Sequence, residues 1–506
     1  MNRNDASQST EDLREQLEEL ESSNALRMRT LAEQMNSNPE LKTVFLDVTT
    51  VNGTETIGLE FGNAEKRSVW ERSVKDAKAA LIEQQITTPN CQLKSIIAHQ
   101  TRPGLQLCAA SIVPGKRSDS SPFVWVCASD KFSGQVAVMS LENGETTIES
   151  CSAIGNAAVT AMCTVPPPKR SKKRKMRSDR LFETPHKESV AELNSSGSDS
   201  DSSCDEASSS SSQTTVWIGN DDGEVFVVNS TERVRSRARE RLARLGNSVT
   251  AICSAGSNVY VATSYSSQIQ FLAFRPHPDR TWDLENPVNI DHACTAPISS
   301  MVHVGQRLIC ASGNTLHAYF TEESSWQKPM EVLPSSDIVS VMCASGALLF
   351  VCGRKSTIVY VIDVFTLTVV NHFNISSMVR SQLAGREDIL REHKMGCLRV
   401  SCLMAARSHL WIGTSAGFIL SAPVHSARKQ LAPDLNVCDI GHSGPCRILL
   451  PVSVAFNRKK RTSLNVPSQQ NSQLMVVSCG EGLDDKGATQ DPTTDAVNHL
   501  IFWRCS

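Results

Sequence analysis

The 506-residue sequence predicts a protein dominated by β-structure, a seven-bladed β-propeller preceded by a smaller α+β module and an N-terminal helix. Three observations lead to that reading. A short apolar run, a turn of small residues and a second strand-like run recur in seven copies from about Cys91 onward, with "HLWIGTSAGFIL" at His409 the clearest. Another apolar run stands roughly ten residues ahead of each copy. Judged from Tyr260 through Leu308 to Phe350, the repeat is somewhat over forty residues long, the size of a unit of about four short strands.

The first segment, Ser9 to about Met35, is rich in Glu, Leu, Gln and Arg, and Ser9 and Asp12 stand like a capping box before "LREQLEEL". This predicts a helical segment within residues 1–40. Leu13, Leu17 and Leu20 follow helical spacing, whereas Asn24 and Arg27 fall where a heptad wants apolar side chains. The expectation is one amphipathic helix packed on a neighbour rather than a sustained coiled coil. Next, "KTVFLDVTT" and "ETIGLEFGN" read as two strands turning at Asn52-Gly53, a pair suited to the positive φ angles of a hairpin. The helix "AEKRSVWERSVKDAKAALIEQ" gathers Val69, Trp70, Val74, Ala77 and Leu81 on one face, which should lie on that hairpin. Strands followed by an amphipathic helix carrying a Trp resemble the closing part of a pleckstrin-homology (PH) domain, so residues 41–88 read as a partial PH-like module.

The propeller is expected over residues 91–506. Its copies are "FVWVCASDKFSGQVAVMSL" from Phe123, "TVWIGNDDGEVFVVNS" from Thr215, "NVYVATSYSSQIQFLAF" from Asn258, "RLICASGNTLHAYF" from Arg307 and "LLFVCGRKSTIVYVIDV" from Leu348. "HLWIGTSAGFILSAPV" and a divergent "LMVVSCGEGLDD" followed after a loop by "NHLIFWRC" complete the set. Inner strands of a blade are covered on both faces by neighbouring blades, which accounts for near-continuous apolar runs such as Leu410-Trp411-Ile412. Gly413, Thr414 and Ser415 keep the following turn compact, and Gly417 supplies a conformation closed to bulkier residues. The last copy has no outer strand of its own, while "NCQLKSIIAH" near Cys91 is a strand without a copy. The two are expected to pair and close the ring. The helical insert "SSMVRSQLAGREDILREHKMG" should sit between two blades on one rim. Period and strand content are those of the WD40-like class.

Residues 166–213 interrupt the pattern: "PPPKRSKKRKMRSDR" and then "NSSGSDSDSSCDEASSSSSQ" offer too little apolar surface to offset ordering entropy, which predicts a disordered insert. Polar stretches from Asn457 and in "GEGLDDKGATQDPTTDAVN" read as two further loops. With 40% hydrophobic and 21% charged residues and a formal net charge of -2, the chain suits a globular protein and has no global attraction to nucleic acid or membrane. No run approaches the ~18 apolar residues of a membrane span and the N-terminus lacks an apolar signal core, so a cytoplasmic location is expected. The 17 cysteines are scattered singly with no CxxC pair and read as reduced, buried hydrophobes. No cofactor or metal is expected.

"LAGREDILREHKMGCLRVSCLMAARSHLWIGTSAGFIL", "VWIGNDDGEVFVVNSTERVRSRARERL" and "NHLIFWR" resemble the C-terminal WD40-like region of Rho guanine nucleotide exchange factors, in the branch called Rho guanine nucleotide exchange factor 17. Through "LWIGTSAG" the chain is more distantly similar to the propeller of JNK-interacting scaffold proteins. The resemblance implies a catalytic Dbl-homology domain, a PH domain and the propeller in that order. The catalytic helical bundle does not fit in front of the PH-like stretch, so no catalytic residue carries over. The resemblance therefore implies a fragment, an incomplete gene model or a regulatory isoform.

No GxSxG, P-loop or HExxH motif is present, and His99, His292, His303, His317, His409, His442 and His499 are spread over different copies. His442, in "GHSG", is expected to cap a strand. Trp282-Asp283 is a single Trp-Asp pair in a loop or outer strand. Lys169, Arg170, Lys172, Lys173, Arg174, Lys175 and Arg177 form a compact basic cluster suited to nuclear import or to an anionic partner, the alternative being a solvated loop balanced by the acidic tract downstream. Ser198, Ser202 and Ser203 each have an acidic residue three positions on, as an acidophilic kinase requires, and their phosphates would pair with the basic cluster. "ERVRSRARERLARL" alternates arginines at 233, 235, 237, 239 and 241, followed by Arg244, and reads as a solvated outer strand or short helix before it reads as a phosphate-binding stripe. The reading is a non-catalytic regulatory and protein-interaction region acting in Rho GTPase and actin signalling. Its expected partners are Rho-pathway or cytoskeletal proteins, and anionic lipid at the basic loop or PH-like part, but not nucleic acid. Two alternatives stand beside it: an active Rho exchange factor whose Dbl-homology domain is missing from this gene model, and a nuclear propeller adaptor.

Overall fold

Successive side chains of a strand point to opposite faces, so an uninterrupted apolar run has to be buried on both sides. The computed structural model describes residues 3–50, 53–86, 92–97, 105–115, 121–142, 145–168, 213–230, 234, 241–266, 268–429, 433–438, 440–455, 472–485 and 498–505. It meets that demand with seven antiparallel blades, six of four strands and one of five. Their first and second strands are Gln106–Val113 and Phe123–Ser129 in blade 1, Val159–Val165 and Thr215–Asn220 in blade 2, and Ser248–Ala255 and Asn258–Tyr265 in blade 3. Ile298–Val304 and Arg307–Ser312 begin blade 4, Val339–Ser345 and Leu348–Gly353 blade 5, Val400–Ala406 and His409–Thr414 blade 6, and Cys446–Ala455 and Ser472–Glu481 blade 7. Every one of the repeated runs is thus the second strand of a blade.

Blade 7 takes Asn498–Cys505 as its third strand and Gln92–Ile97 as its outermost, pairing Gln92 with Arg504 and Ile97 with His499. The expected ring closure is there. Apolar clusters fill all seven seams, the seam between blades 7 and 1 included, where Leu107, Val124 and Val126 meet Val452, Val477 and Phe502. In blade 6, Leu410 and Ile412 enter the seam with blade 5 while Trp411 enters the seam with blade 7. One apolar run serves two interfaces.

Each first strand carries a register irregularity after its opening apolar residue, from Leu107/Ala109 in blade 1 to Cys446/Ile448 in blade 7. The bulged residue is Cys108, Thr160, Thr250, Ser299, Ser340, Ser401 or Arg447. Thr160 donates to Gly219 O at 3.2 Å and Thr250 to Ala262 O at 3.2 Å, while Ser299 reaches Val339 O of the next blade at 2.7 Å. A hydroxyl here takes up a carbonyl that the bulge leaves without a ladder partner.

The helices Ser376–Leu383 and Asp388–Gly396 join blades 5 and 6, with Val379 and Leu383 sunk into their seam, as expected for an insert on one rim. The stretch from Gly480, read as a loop, is partly regular: Asp484–Asp485 pairs with Ile440–Gly441, because the turn after the second strand of blade 7 runs beside the link that enters the blade.

The chain divides into two compact units, Met1–Asn90 and Cys91–Ser506. In the first, the N-terminal helix spans Arg3–Ser37, so Ser9 lies within it and the capping box does not start it. Its expected packing on a neighbour is not observed: Leu13, Leu17, Leu20, Leu26 and Leu31 are all more than half exposed, since Asn24 and Arg27 break the apolar stripe. The strands Thr43–Thr50 and Gly53–Glu60 pair with Thr50 opposite Gly53, which puts Gly53 in the second strand and moves the turn to residues 51 and 52, outside the described residues. Asn63 caps the helix Ala64–Ile86 by accepting from Lys66 N at 2.8 Å. Trp70 packs against Phe61 in a tilted contact with ring centroids 5.4 Å apart, and Arg67 donates to Glu40 O at 2.6 Å. Val69 and Ala77, expected on the covered face, are exposed, whereas Trp70 and Val74 are half-buried. The side chain of Leu81 lies outside the described residues.

Trp411, 1% exposed in the seam of blades 6 and 7, is a packing residue. Trp411→Ala is expected to lower unfolding free energy by about 3–5 kcal/mol in urea titrations.

Candidate protein-docking face

Because strand direction alternates, the turns from second to third strand and the links between blades emerge at one face of the ring. Turns from first to second and from third to fourth strand emerge at the other. The first is called here the linker face and the second the hairpin face.

At the linker face of blades 6 and 7, the chain folds back on itself through backbone alone. Gly417 has φ +87°, and a Cβ on it would come within 1.8 Å of His442 O. His442 N donates to Gly417 O at 3.0 Å, joining the blade 6 turn to the blade 7 link. This is the requirement for glycine in the "TSAGF" turn.

The imidazole of His442, 1% exposed, has Gly482 O at 3.1 Å from Nδ1 and Ser478 Oγ at 3.0 Å from Nε2. Trp503 Nε1 donates to the same hydroxyl at 3.3 Å. One assignment satisfies every donor: Trp503 to Ser478, Ser478 to Nε2, and Nδ1–H to Gly482. The ring is therefore neutral. Burial, assisted by the nearby His499 and opposed by the Gly482 bond, depresses its pKa to about 4. The strand-capping role expected for His442 is the observed one.

The helical insert is fastened at the same seam. Arg386 Nη2 lies 2.8 and 2.9 Å from the two carboxylate oxygens of Asp484. Lys394, 8% exposed, donates to Ala416 O at 3.1 Å, stands 3.9 Å from Asp484 Oδ2 and lies 5.7 Å over the Phe418 ring. Asp484 is itself buried, so both cations hold a carboxylate that water scarcely reaches.

On this fastened scaffold, apolar side chains from three places point to solvent on one face: Phe132 is 79% exposed, Tyr265 67% and Ile389 84%. Phe132 sits in a turn whose shape is set by Asp130, which accepts from Phe132 N and Ser133 N, each at 2.7 Å. Tyr265 ends the second strand of blade 3, and Ile389 opens the second helix of the insert. Loops carried on such a scaffold are suited to a protein partner.

Of the residues singled out in the sequence, Lys169, Arg170, Lys172, Lys173, Arg174, Lys175, Arg177, Ser198, Ser202 and Ser203 lie outside the described residues, as do Arg233, Arg235, Arg237 and Arg239. Arg244 belongs to the outer strand of blade 2, exposed, 3.8 Å from Glu224. The described histidines fall in several blades and links, with His303 and His317 both in blade 4 and His499 near His442, and among the described residues no three His, Cys, Asp or Glu side chains are grouped to share a metal ion. Arg386, Lys394 and Asp484 escaped the sequence reading because Arg386 and Asp484 are 98 positions apart. The one available signal was that Arg386 and Lys394 lie in the most distinctive segment.

A family model described as WD40 repeated domain matches residues 97–473. The Rho guanine nucleotide exchange factor osg-1 of Caenorhabditis elegans is 65% identical over 500 residues, which cover 98% of this chain and 42% of that protein. Rho guanine nucleotide exchange factor 17 of Mus musculus is 28% identical over 330 residues, 58% of this chain and 16% of that protein. JNK-interacting protein 3 of Drosophila melanogaster is 26% identical over 238 residues, 46% of this chain and 18% of that protein. The chain thus spans less than half the length of these relatives.

Two measurements check the seam. Unfolded, His442 takes up a proton near pH 6.5, whereas folded it resists until about 4, so its contribution to stability is present above 6.5 and is lost as pH falls towards 4. The loss is expected to be on the order of 3 kcal/mol, and His442→Gln should flatten that part of the pH–stability profile. Arg386→Ala leaves Asp484 buried beside Lys394 alone and should cost about 2–4 kcal/mol in thermal or urea unfolding, with less than additive loss when combined with Asp484→Ala.

Proposed function

Since the chain belongs to the WD40 repeated domain family and is homologous to Rho guanine nucleotide exchange factors, we propose that it is a regulatory, protein-docking propeller acting in Rho GTPase and actin signalling without itself exchanging nucleotide. The observation that carries this reading is the linker face, where Phe132, Tyr265 and Ile389 are held exposed by a scaffold closed as a ring. Large, rigid aromatic and aliphatic groups are the anchors that dominate protein interfaces, and neighbouring loops exclude water around them. Its partners in this reading are proteins of the Rho pathway or the cytoskeleton. Residues 41–88 serve beside it as a partial PH-like module.

A second reading is favoured by one observation, the 42% coverage of osg-1. In that reading the propeller is the regulatory part of a longer, active exchange factor. A transcript carrying a Dbl-homology exon in frame upstream of Met1 assigns it so.

The docking reading predicts that crosslinks to Rho-pathway or cytoskeletal proteins in cells concentrate on the linker face. Phe132→Asp combined with Tyr265→Asp and Ile389→Asp should reduce them about tenfold or more with unchanged thermal unfolding. Crosslinks confined to the hairpin face would overturn it. Added to a Rho-class GTPase loaded with fluorescent GDP, the chain alone should leave the release rate unchanged, and marked acceleration would refute the non-catalytic reading.

A further inference from the structure

Helices in folded proteins draw most of their stability from packing an apolar face, and a helix surrounded by water lacks that term. The helix Arg3–Ser37 is in that position, exposed at every residue from 13 to 34. Counted in heptads, its apolar positions fail at Asn24 and Arg27. With one step of four residues in place of three, the stripe runs instead through Leu13, Leu17, Leu20, Asn24, Met28 and Leu31. Such a step straightens a coiled coil locally without ending it. At ~100° per residue the six positions lie within an arc of about 80°. Its five apolar members are 56–70% exposed, and Leu26 stands on the opposite side of the helix.

The stripe is symmetric about Asn24. Leu20 and Met28 stand four positions to either side of it, and Leu17 and Leu31 seven. A second copy running antiparallel, related by a two-fold axis at Asn24, therefore sets Leu20 against Met28 and Leu17 against Leu31 of the other chain. The two Asn24 amides meet on the axis, where each can donate to and accept from the other. A slip of one layer would bury them against apolar side chains, which is how a single core asparagine fixes register.

Charge selects the direction. Glu18 and Glu21 flank the stripe on one side, with Arg29 farther along that side, while Glu19 and Arg27 flank it on the other. Antiparallel pairing brings Arg29 of the second copy level with the gap between Glu18 and Glu21, and sets its Arg27 within about 3 Å of Glu19 along the axis. Parallel pairing would place Glu18 beside Glu19 and Arg27 beside Arg29, like charge against like. Among the described residues none of these five side chains takes part in an ion pair. We propose that the helix Arg3–Ser37 is a homodimerisation element, pairing antiparallel with the same helix of a second copy about Asn24. The pairing concerns the first unit alone and stands whether or not the linker face docks a partner.

Sedimentation equilibrium of the full chain should give a mass approaching twice 55.2 kDa as concentration rises. Leu20→Asp combined with Met28→Asp should weaken association about a hundredfold or more, whereas Leu26→Asp should leave it unchanged. Arg29→Glu should weaken it about tenfold, and adding Glu18→Arg and Glu21→Arg should restore it, a rescue that misfolding cannot produce. For direction, Asn24→Cys should form a chain-to-chain disulfide under oxidised glutathione beyond that of the unsubstituted chain. Leu17→Cys, about 21 Å along the axis from its counterpart, should not. A chain that is monomeric at every concentration, a dimer indifferent to the two aspartates, or charge reversal without rescue overturns the proposal. So does crosslinking through Leu17→Cys, the mark of a parallel pair. If another protein binds the helix while the chain alone stays monomeric, the occupant is a partner and the assignment to a second copy fails.

Discussion

Every blade of this protein has two apolar faces and can cover neither by itself. The alternation of Leu410 and Ile412 with Trp411 shows how that constraint is met residue by residue, since neighbours in sequence are sent to opposite seams. The same division appears in blade 5, where Leu348 and Phe350 join the seam with blade 6 while Leu349 and Val351 join the seam with blade 4. A ring is the arrangement of such units that leaves no apolar face in water, and it requires the seam of blades 7 and 1 to be as apolar as the rest. The other features, from the glycine turn at 417 to the borrowed outer strand, serve that closure.

Packing seven sheets around an axis crowds their innermost strands where the links enter. The irregularity after the first apolar residue of each of those strands bends the strand there. Its cost is an unpaired carbonyl, and the frequent Ser or Thr at the bulge offsets that cost. Ser401 donates to Cys446 O and Ser299 to Val339 O, so the repair also stitches one blade to the next. Blade 7 departs from the pattern: its bulged residue is Arg447, which turns outward to Glu481. Polar side chains that look incidental in "AVTAMC" or "PISSMV" therefore have a repeated structural cause.

The fold was legible because its signal is periodic. Seven apolar runs of similar length, a strand with no copy of its own and a last copy with no outer strand are local facts that together specify a closed ring. His442 was legible from its neighbour, as a Gly-His pair of the kind found in WD40-like blades. What the sequence concealed was contact between distant positions and the surroundings of isolated elements. Nothing local to "GEGLDD" says that its Asp484 will be held by Arg386. Nor does helical spacing tell whether Val69 or Trp70 will meet the hairpin, because both lie within the same broad apolar arc and only the crossing of the elements decides. Exposed Phe132 and Tyr265 were invisible as well, since an aromatic residue beside a turn in sequence looks the same whether it faces the seam or the solvent.

The pairing of Gln92–Ile97 with Asn498–Cys505 has a consequence for how the molecule is made. These partners are the first and last strands of the ring, about four hundred residues apart in the chain, so among the described strand pairings the contact has the greatest sequence separation. At translation rates of 5–20 residues per second, the early strand leaves the ribosome roughly 20–80 s before its partner exists. During that interval blade 1 has an open apolar side and strand 92–97 has an unpaired edge. The apolar side of blade 1 is met first by Val452, Met475 and Val477, while strand 92–97 waits for the eight residues Asn498–Cys505.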